Sequence, residues 1–210
     1  MFKDRREAGR FLAGMLKHYR DREDTLILAL PRGGVPVAYE AAVELHLPLD
    51  VFLVRKLGVP GHEELAMGAI ATGGVRILND DIVSYLNVSP EEIEAATACE
   101  TEELTRREGL YRGGRPAPEV RNRTVILVDD GLATGATMRA AVAALRQSHP
   151  ARIVVAIPVA AYRTCDELRE VADEVVCADT PEHFYAVGQG YERFDQTTDE
   201  EVRNLLHRVA

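Results

Sequence analysis

The segment Val125-Ile126-Leu127-Val128-Asp129-Asp130-Gly131-Leu132-Ala133-Thr134-Gly135-Ala136-Thr137 most restricts what this chain can fold into. Four consecutive apolar residues predict a strand buried on both faces. Two adjacent carboxylates stand at its carboxyl end. A loop of small residues then leads into Met138–Ser148, whose apolar residues recur at helical spacing. Free backbone N–H groups at a helix start make a seat for a phosphate, with Gly135 allowing close approach and Thr134 and Thr137 offering hydroxyls. The acidic pair lies beside that seat, placed for ribose hydroxyls or a metal-bound water. Together these pieces suit a sugar phosphate whose further charge is held by Mg²⁺.

The rest of the chain alternates strands and helices. Residues 4–20 read as an amphipathic helix, Thr25–Leu30 as a buried strand, Val35–Leu45 as a helix and Asp50–Arg55 as a second strand. Met67–Thr72 and Val75–Leu78 flank Gly73-Gly74 as a hairpin. Ser89-Pro90-Glu91-Glu92 opens a charged helix expected to run to about Glu108. A Gly-, Arg- and Pro-rich loop, Gly109 to Asn122, precedes the segment above. Strand Arg152–Pro158, helix Thr164–Val171, strand Glu174–Ala178 and helix Thr198–Val209 follow. Such alternation means a parallel sheet covered on both faces, with ligands at the carboxyl ends of its strands.

The chain has 210 residues, enough for one α/β domain with a small appendage. Its formal net charge of −9 argues against a broad nucleic-acid-binding face. Arg106, Arg107, Arg112, Arg115, Arg121 and Arg123 cluster in one region, as solvated helix and loop charges commonly do. No apolar run approaches membrane-spanning length, so no membrane partner is expected. The first residues are charged and lack the apolar core of a signal peptide, which makes a cytoplasmic location the expectation. Cys99, Cys165 and Cys177 show no metal-ligand spacing and read as free thiols.

Residues 125–137 resemble the phosphoribosyl-pyrophosphate (PRPP) signature of the type I phosphoribosyltransferases. The resemblance implies that Asp129 and Asp130 hold the ribose 2′- and 3′-hydroxyls. It implies that Ala133, Thr134, Gly135, Ala136 and Thr137 cradle the 5-phosphate. Purine-specific members often carry an acid where this chain has Ala133, which leaves proton transfer to or from the base unassigned.

Three further segments extend the resemblance. Leu30-Pro31-Arg32-Gly33-Gly34-Val35 joins a strand to a helix, with exposed backbone N–H groups and one fixed positive charge. It is similar to the pyrophosphate loop, in which relatives often hold a non-proline cis bond, so Pro31–Arg32 is expected to be cis or able to become so. Arg55 and Lys56 resemble basic residues that meet the pyrophosphate ahead of a mobile loop, here Leu57–Leu65. Pro181 to Gly188, followed by Gln189 to Glu192, resembles the base-binding hood of the hypoxanthine-guanine enzymes. Either Phe184 or Tyr185 would stack on the base, because this chain has one extra residue before the Gly. Ala186 would lie beside the base, and Glu192 would take the place of an acid near the metal. The lysine with which those enzymes read a 6-oxo group has no counterpart in Ile157 to Ala161.

The resemblance implies a type I phosphoribosyltransferase-like α/β fold, a central parallel sheet flanked by helices with a small hood. It implies one domain over 1–210, with its core at about 22–178, a helical insert at about 80–123, and a hood at about 179–195 with terminal helices. The implied activity is Mg²⁺-dependent transfer of ribose 5-phosphate from PRPP to a nitrogen nucleophile, a nucleobase, with release of pyrophosphate, in nucleotide metabolism. Arg32, Lys56, Asp129 and Asp130 would be catalytic, and Asp129, Asp130 and Glu192 would lie nearest the metal. Many relatives are dimers, which makes a homodimer the expectation. The chain looks most like predicted bacterial members whose acceptor is unassigned. A PRPP- or nucleotide-sensing regulator, and hydrolysis or phosphorolysis at the same carbon, are the rival readings.

Overall fold

The apolar runs assemble into a five-stranded parallel sheet. Its strands are β1 (Thr25–Ala29), β2 (Leu49–Val51), β6 (Thr124–Val128), β7 (Arg152–Val159) and β8 (Glu174–Asp179). They lie side by side in the order β2-β1-β6-β7-β8. The computed structural model describes residues 1–209. Register follows the apolar pattern, with Leu26 opposite Val125 and Val125 opposite Ile153. Every residue of β1 and β6 is buried. Alternate side chains serve different layers. Ile27, Ile126 and Val154 face one core with α1 (Arg5–Met15), α2 (Gly34–Leu45) and α7 (Asp199–Arg208). Leu26, Leu28, Val125, Leu127 and Val155 face the other, with α5 (Ala136–Gln147) and α6 (Tyr162–Leu168). Covering both faces is why these strands read as unbroken apolar runs.

The predicted strand Asp50–Arg55 is two strands. After Val51 the chain leaves the parallel sheet, and Val54–Val59 (β3) starts an antiparallel sheet with β4 (His62–Ala71) and β5 (Val75–Leu78). The switch is held by hydrogen bonds to both sheets: the Phe52 N–H donates to the Ala29 carbonyl, and the Leu53 N–H to Thr72 Oγ1, each at 2.9 Å. The stretch expected as an irregular mobile loop, Leu57–Leu65, is instead the turn of this β-arm, with Gly61 at φ +76°. Its backbone groups are paired across the hairpin, which polar residues such as Glu63 and Glu64 permit on an exposed ribbon.

The expected β4–β5 hairpin is present, its turn carried by Gly73 and Gly74 at positive φ. A short helix, α3 (Asp80–Tyr85), is not among the expected elements; Asn79 caps it by accepting from the Ile82 N–H. Helix α4 (Pro90–Arg112) has the expected Ser89 capping box but runs past Glu108. Gly109 inside a helix costs about 1 kcal/mol relative to Ala. Burial of the next turn offsets it: Tyr111 is 1% exposed, and Arg112 bonds Asp50 Oδ1 at 3.0 Å and the Val51 carbonyl at 2.8 Å. These contacts fasten α4 to β2.

The expectation of three free thiols is corrected for two of them. Cys165 on α6 and Cys177 on β8 form a disulfide, because α6 packs back on the strand that follows it. Cys99 is free and exposed. Among the described residues, no helix is long and apolar enough to cross a membrane.

Candidate active site

Strand order places the site. From β1 the chain moves to β2 on one side of the sheet, and from β6 to β7 and β8 on the other. The crevice beyond the carboxyl ends of β1 and β6 is therefore the topological switch point, where open α/β sheets bind ligands. Two loops meet there, Leu30–Gly34 after β1 and Asp129–Gly135 after β6. The Leu30 N–H donates to the Val128 carbonyl at 2.9 Å.

The two glycines of the first loop lie against the two acids of the second. A Cβ on Gly34 would stand 2.7 Å from the Val128 carbonyl oxygen and 2.9 Å from Asp129 Cα. A Cβ on Gly33 would fall onto the Asp130 carboxylate. The Pro31–Arg32 peptide is cis, as expected. Asp129 Oδ1 accepts from the Asp130 N–H at 2.8 Å. Burial, and then the adjacent charge of Asp130, hold the Asp129 carboxyl well above the usual carboxylate range. The Asp130 carboxylate accepts from Arg5 Nε at 2.8 Å, and its main-chain carbonyl from the Tyr191 hydroxyl. Burial raises the Tyr191 phenol far above its ordinary value, so it stays a donor.

The loop from Gly131 to Gly135 is fixed by its neighbours. The Leu132 N–H donates to the Val159 carbonyl at 3.0 Å, and Thr164 Oγ1 donates to the Ala133 carbonyl at 2.9 Å. Gly135, at φ +69°, caps α5 without a side chain. A Cβ there would meet Thr164 Cγ2 at 2.6 Å as well as adopt a disfavoured backbone. Thr134, Ala136 and Thr137 are exposed, so the first-turn N–H groups of α5 open to solvent.

Neighbours on a strand point to opposite faces, yet Arg55 and Lys56 both line a pocket with Glu63, Glu64, Ala96 and Glu100. Arg55 Nε donates to Glu100 Oε2 on α4 at 2.6 Å. Lys56 Nζ donates to the Glu64 carbonyl at 3.4 Å, and the residue also lines a pocket with Val54, Ala66, Ala136, Thr137 and Ala140, beside the start of α5. Arg32 is part-exposed, with Nη1 4.0 Å from Asp199 Oδ1. The same oxygen accepts from the Tyr111 hydroxyl at 2.6 Å. Burial, together with that carboxylate, pushes the Tyr111 phenol up to about 12.

In the hood segment, Phe184 is half-buried against a cluster of Phe2, Ala8, Val159 and Tyr191. Tyr185 is 81% exposed. Gln189 accepts from the N–H groups of Tyr185 (2.6 Å) and Ala186 (3.0 Å). Glu192 is exposed; its N–H donates to the Phe2 carbonyl at 2.8 Å, tying the hood to the N-terminus. Among the described residues, no three His, Cys, Asp or Glu side chains converge as a metal cage. Arg5, Tyr111, Thr164, Tyr191 and Asp199 support the site without a local sequence signal for their roles.

The chain is similar to proteins of known sequence and structure. Two proteins named "Putative phosphoribosyl transferase", Rv0571c and MT0597 of Mycobacterium tuberculosis strains H37Rv and CDC 1551, are each 45% identical over 209 residues. The matches cover 100% of this chain and 47% of each of those proteins, so the chain spans about half the length of these curated relatives. The crystal structure of TT1426 from Thermus thermophilus is 42% identical, with a TM-score of 0.89, covering 100% of this chain and 99% of that one. The family model for the phosphoribosyl transferase domain matches residues 4–193, and the chain belongs to that family.

Proposed function

We propose that this chain is a Mg²⁺-dependent phosphoribosyltransferase that moves ribose 5-phosphate from PRPP to a nitrogen nucleophile, a nucleobase, and releases pyrophosphate. The observation that carries the reading is the approach of two anion-binding loops at the switch point, with Gly33 and Gly34 packed on Asp130 and Asp129. One ligand bearing a phosphate, a diol and a pyrophosphate spans such a site; a simple phosphate does not require it.

The division of labour follows from the donors and acceptors. Backbone N–H groups at residues 134–137 take the 5-phosphate. The Asp129 and Asp130 side chains pair with the ribose hydroxyls, and the Asp130 carboxylate places negative charge under a sugar that becomes cationic as the bond to pyrophosphate lengthens. Arg32, the backbone of Gly33 and Gly34, and Lys56 meet the charge growing on the leaving group; a backbone donor preorganised in this way is worth roughly 10²–10³ in rate. Arg32 must leave Asp199 to do so, and an exposed 4.0 Å ion pair releases it at little cost. Arg55, paired with Glu100, takes part only if that pair opens.

The donor set fits Mg²⁺. That ion keeps several waters and is bound through one or two carboxylates plus substrate phosphates rather than by a protein cage. Two adjacent acids beside loops suited to substrate phosphates are that kind of set. Asp129 and Asp130 would hold it, with Glu192 as a more distant acid, and it would supply charge neutralisation for the pyrophosphate.

The test is calorimetric titration of PRPP with Mg²⁺ into the parent and into Asp129→Asn/Asp130→Asn. The parent is expected to bind, and the double variant to lose binding while keeping its far-UV circular dichroism. Equal affinity in the two proteins would remove the acids from the ribose.

A further inference from the structure

The Asp130 carboxylate is not left to solvent. Arg5, the first residue of α1 and 125 positions away in sequence, donates from Nε to Oδ2 at 2.8 Å. The pair is enclosed, with side chains 12% and 14% exposed. The guanidinium is itself held on two other sides. Its carbon lies 3.9 Å from the centroid of the Phe194 ring, and Nη1 donates to the Asp195 carbonyl at 2.6 Å. Phe194 stacks in turn on Tyr191, with centroids 5.1 Å apart, and the Tyr191 hydroxyl bonds the Asp130 carbonyl. Asp130 is thus gripped at both its side chain and its main chain by one aromatic-backed unit.

That grip is not needed to dock the helix. Leu12 and Leu16 are fully buried and Ala8 completes the packing of α1 on the body. An enclosed ion pair is weak evidence for stability, because desolvation offsets much of the attraction. What the pair does fix is orientation. With Gly33 against the same carboxylate and Oδ2 bound to Arg5, the carboxylate has one settled rotamer, and Oδ1 is the oxygen left free of Arg5.

We propose that Arg5 is a positioning residue for the sugar diol: by holding Oδ2 of Asp130 it presents Oδ1 to one hydroxyl of a bound ribose phosphate. The proposal rests on the reading of the acids as the ribose site, and deepens it by adding a residue outside both anion loops. Arg5 touches the carboxylate and not the ligand, so its effect is confined to the hydroxyl that Asp130 accepts. The phosphate seat at residues 134–137 is untouched.

The experiment compares ribose 5-phosphate with 2,3-dideoxyribose 5-phosphate, by calorimetric titration into the parent, Arg5→Met, Arg5→Lys and Phe194→Leu. A hydrogen bond to a charged acceptor discriminates by roughly tenfold or more, so the parent prefers the diol by at least that factor. In Arg5→Met the preference is expected to fall about fivefold or more, with affinity for the dideoxy sugar within about twofold of the parent. Arg5→Lys restores part of the preference by restoring a cationic donor. Phe194→Leu keeps the guanidinium but removes its backing, and lowers the preference by less; it carries the test if Arg5→Met does not fold. A merely structural role would weaken both sugars alike, and that result overturns the proposal, as does an unchanged preference in Arg5→Met or, should that variant not fold, in Phe194→Leu. A parent that binds both sugars equally overturns the ribose site itself, and the positioning role with it.

Discussion

Replacing Gly34 by Ala separates local propensity from tertiary packing, because the two predict opposite signs. Gly34 is the first residue of α2 and its φ is not in the left-handed region, so alanine is allowed by the backbone. Propensity alone would stabilise the helix by up to about 1 kcal/mol. The added Cβ, however, would stand 2.7 Å from the Val128 carbonyl oxygen and 2.9 Å from Asp129 Cα. Both are backbone atoms at the end of a fully buried central strand, and neither can swing aside. Overpacking of this kind costs typically 1–3 kcal/mol, leaving a net loss of up to about 2 kcal/mol after the full propensity gain. For a chain of this length that lowers Tm by up to about 8 °C. Gly14, in α1, is the control: a Cβ there meets nothing within 4 Å, so Gly14→Ala is expected to raise Tm slightly. The assay is thermal unfolding followed by circular dichroism, with PRPP titration on the same samples. Gly34→Ala should also bind PRPP at least tenfold more weakly, because the first loop is pushed off the acids. Equal stabilisation by the two substitutions, with PRPP affinity unchanged, would refute the close packing of loop on acid pair.

Three further outcomes follow from single contacts. Gly135→Val combines a φ of +69° with a Cβ 2.6 Å from Thr164 Cγ2, so titration with ribose 5-phosphate should show at least tenfold weaker binding. Asp129 carries a raised carboxyl pKa, so the native state holds its proton more tightly than the unfolded chain. The stability this gives is complete below the ordinary carboxylate range and is lost as pH rises through the raised value. Urea unfolding of Asp129→Asn should therefore match the parent in the ordinary carboxylate range and gain on it as pH rises above that range. Arg112 is 3% exposed and pairs with Asp50 and Glu108; Arg112→Met should cost about 3 kcal/mol in the same assay, because Asp50 loses its partner.

What was legible in the sequence is what local pattern encodes. The run Val125–Val128 followed by two acids and a small-residue loop predicts strand, site and helix, because burial on both faces leaves an unbroken apolar stretch. Ser89 and Thr198 mark helix starts because a cap acts within three residues. The split of residues 50–55 was not legible: both sheets demand the same alternation, and only the partners of Phe52 and Leu53 distinguish them. The β-arm at 57–65 was hidden by Gly58, Pro60 and Gly61, which read as loop although the ribbon pairs around them. The Cys165–Cys177 bridge depends on how α6 folds back on β8, and no spacing signals it. Arg5 was one charged residue in a charged N-terminus; its contact with Asp130 exists only once the ends of the chain meet over the crevice. The same holds for Arg55, whose contact with Glu100 exists only once α4 packs against β3.

The most direct test of the central claim is pyrophosphate release from PRPP and Mg²⁺ in the presence of a panel of nucleobases. Release that requires one base, and that disappears in Asp129→Asn/Asp130→Asn, is the predicted result. Release without any base would mean hydrolysis, and PRPP binding without release would mean a sensor; either contradicts transfer to a nucleobase.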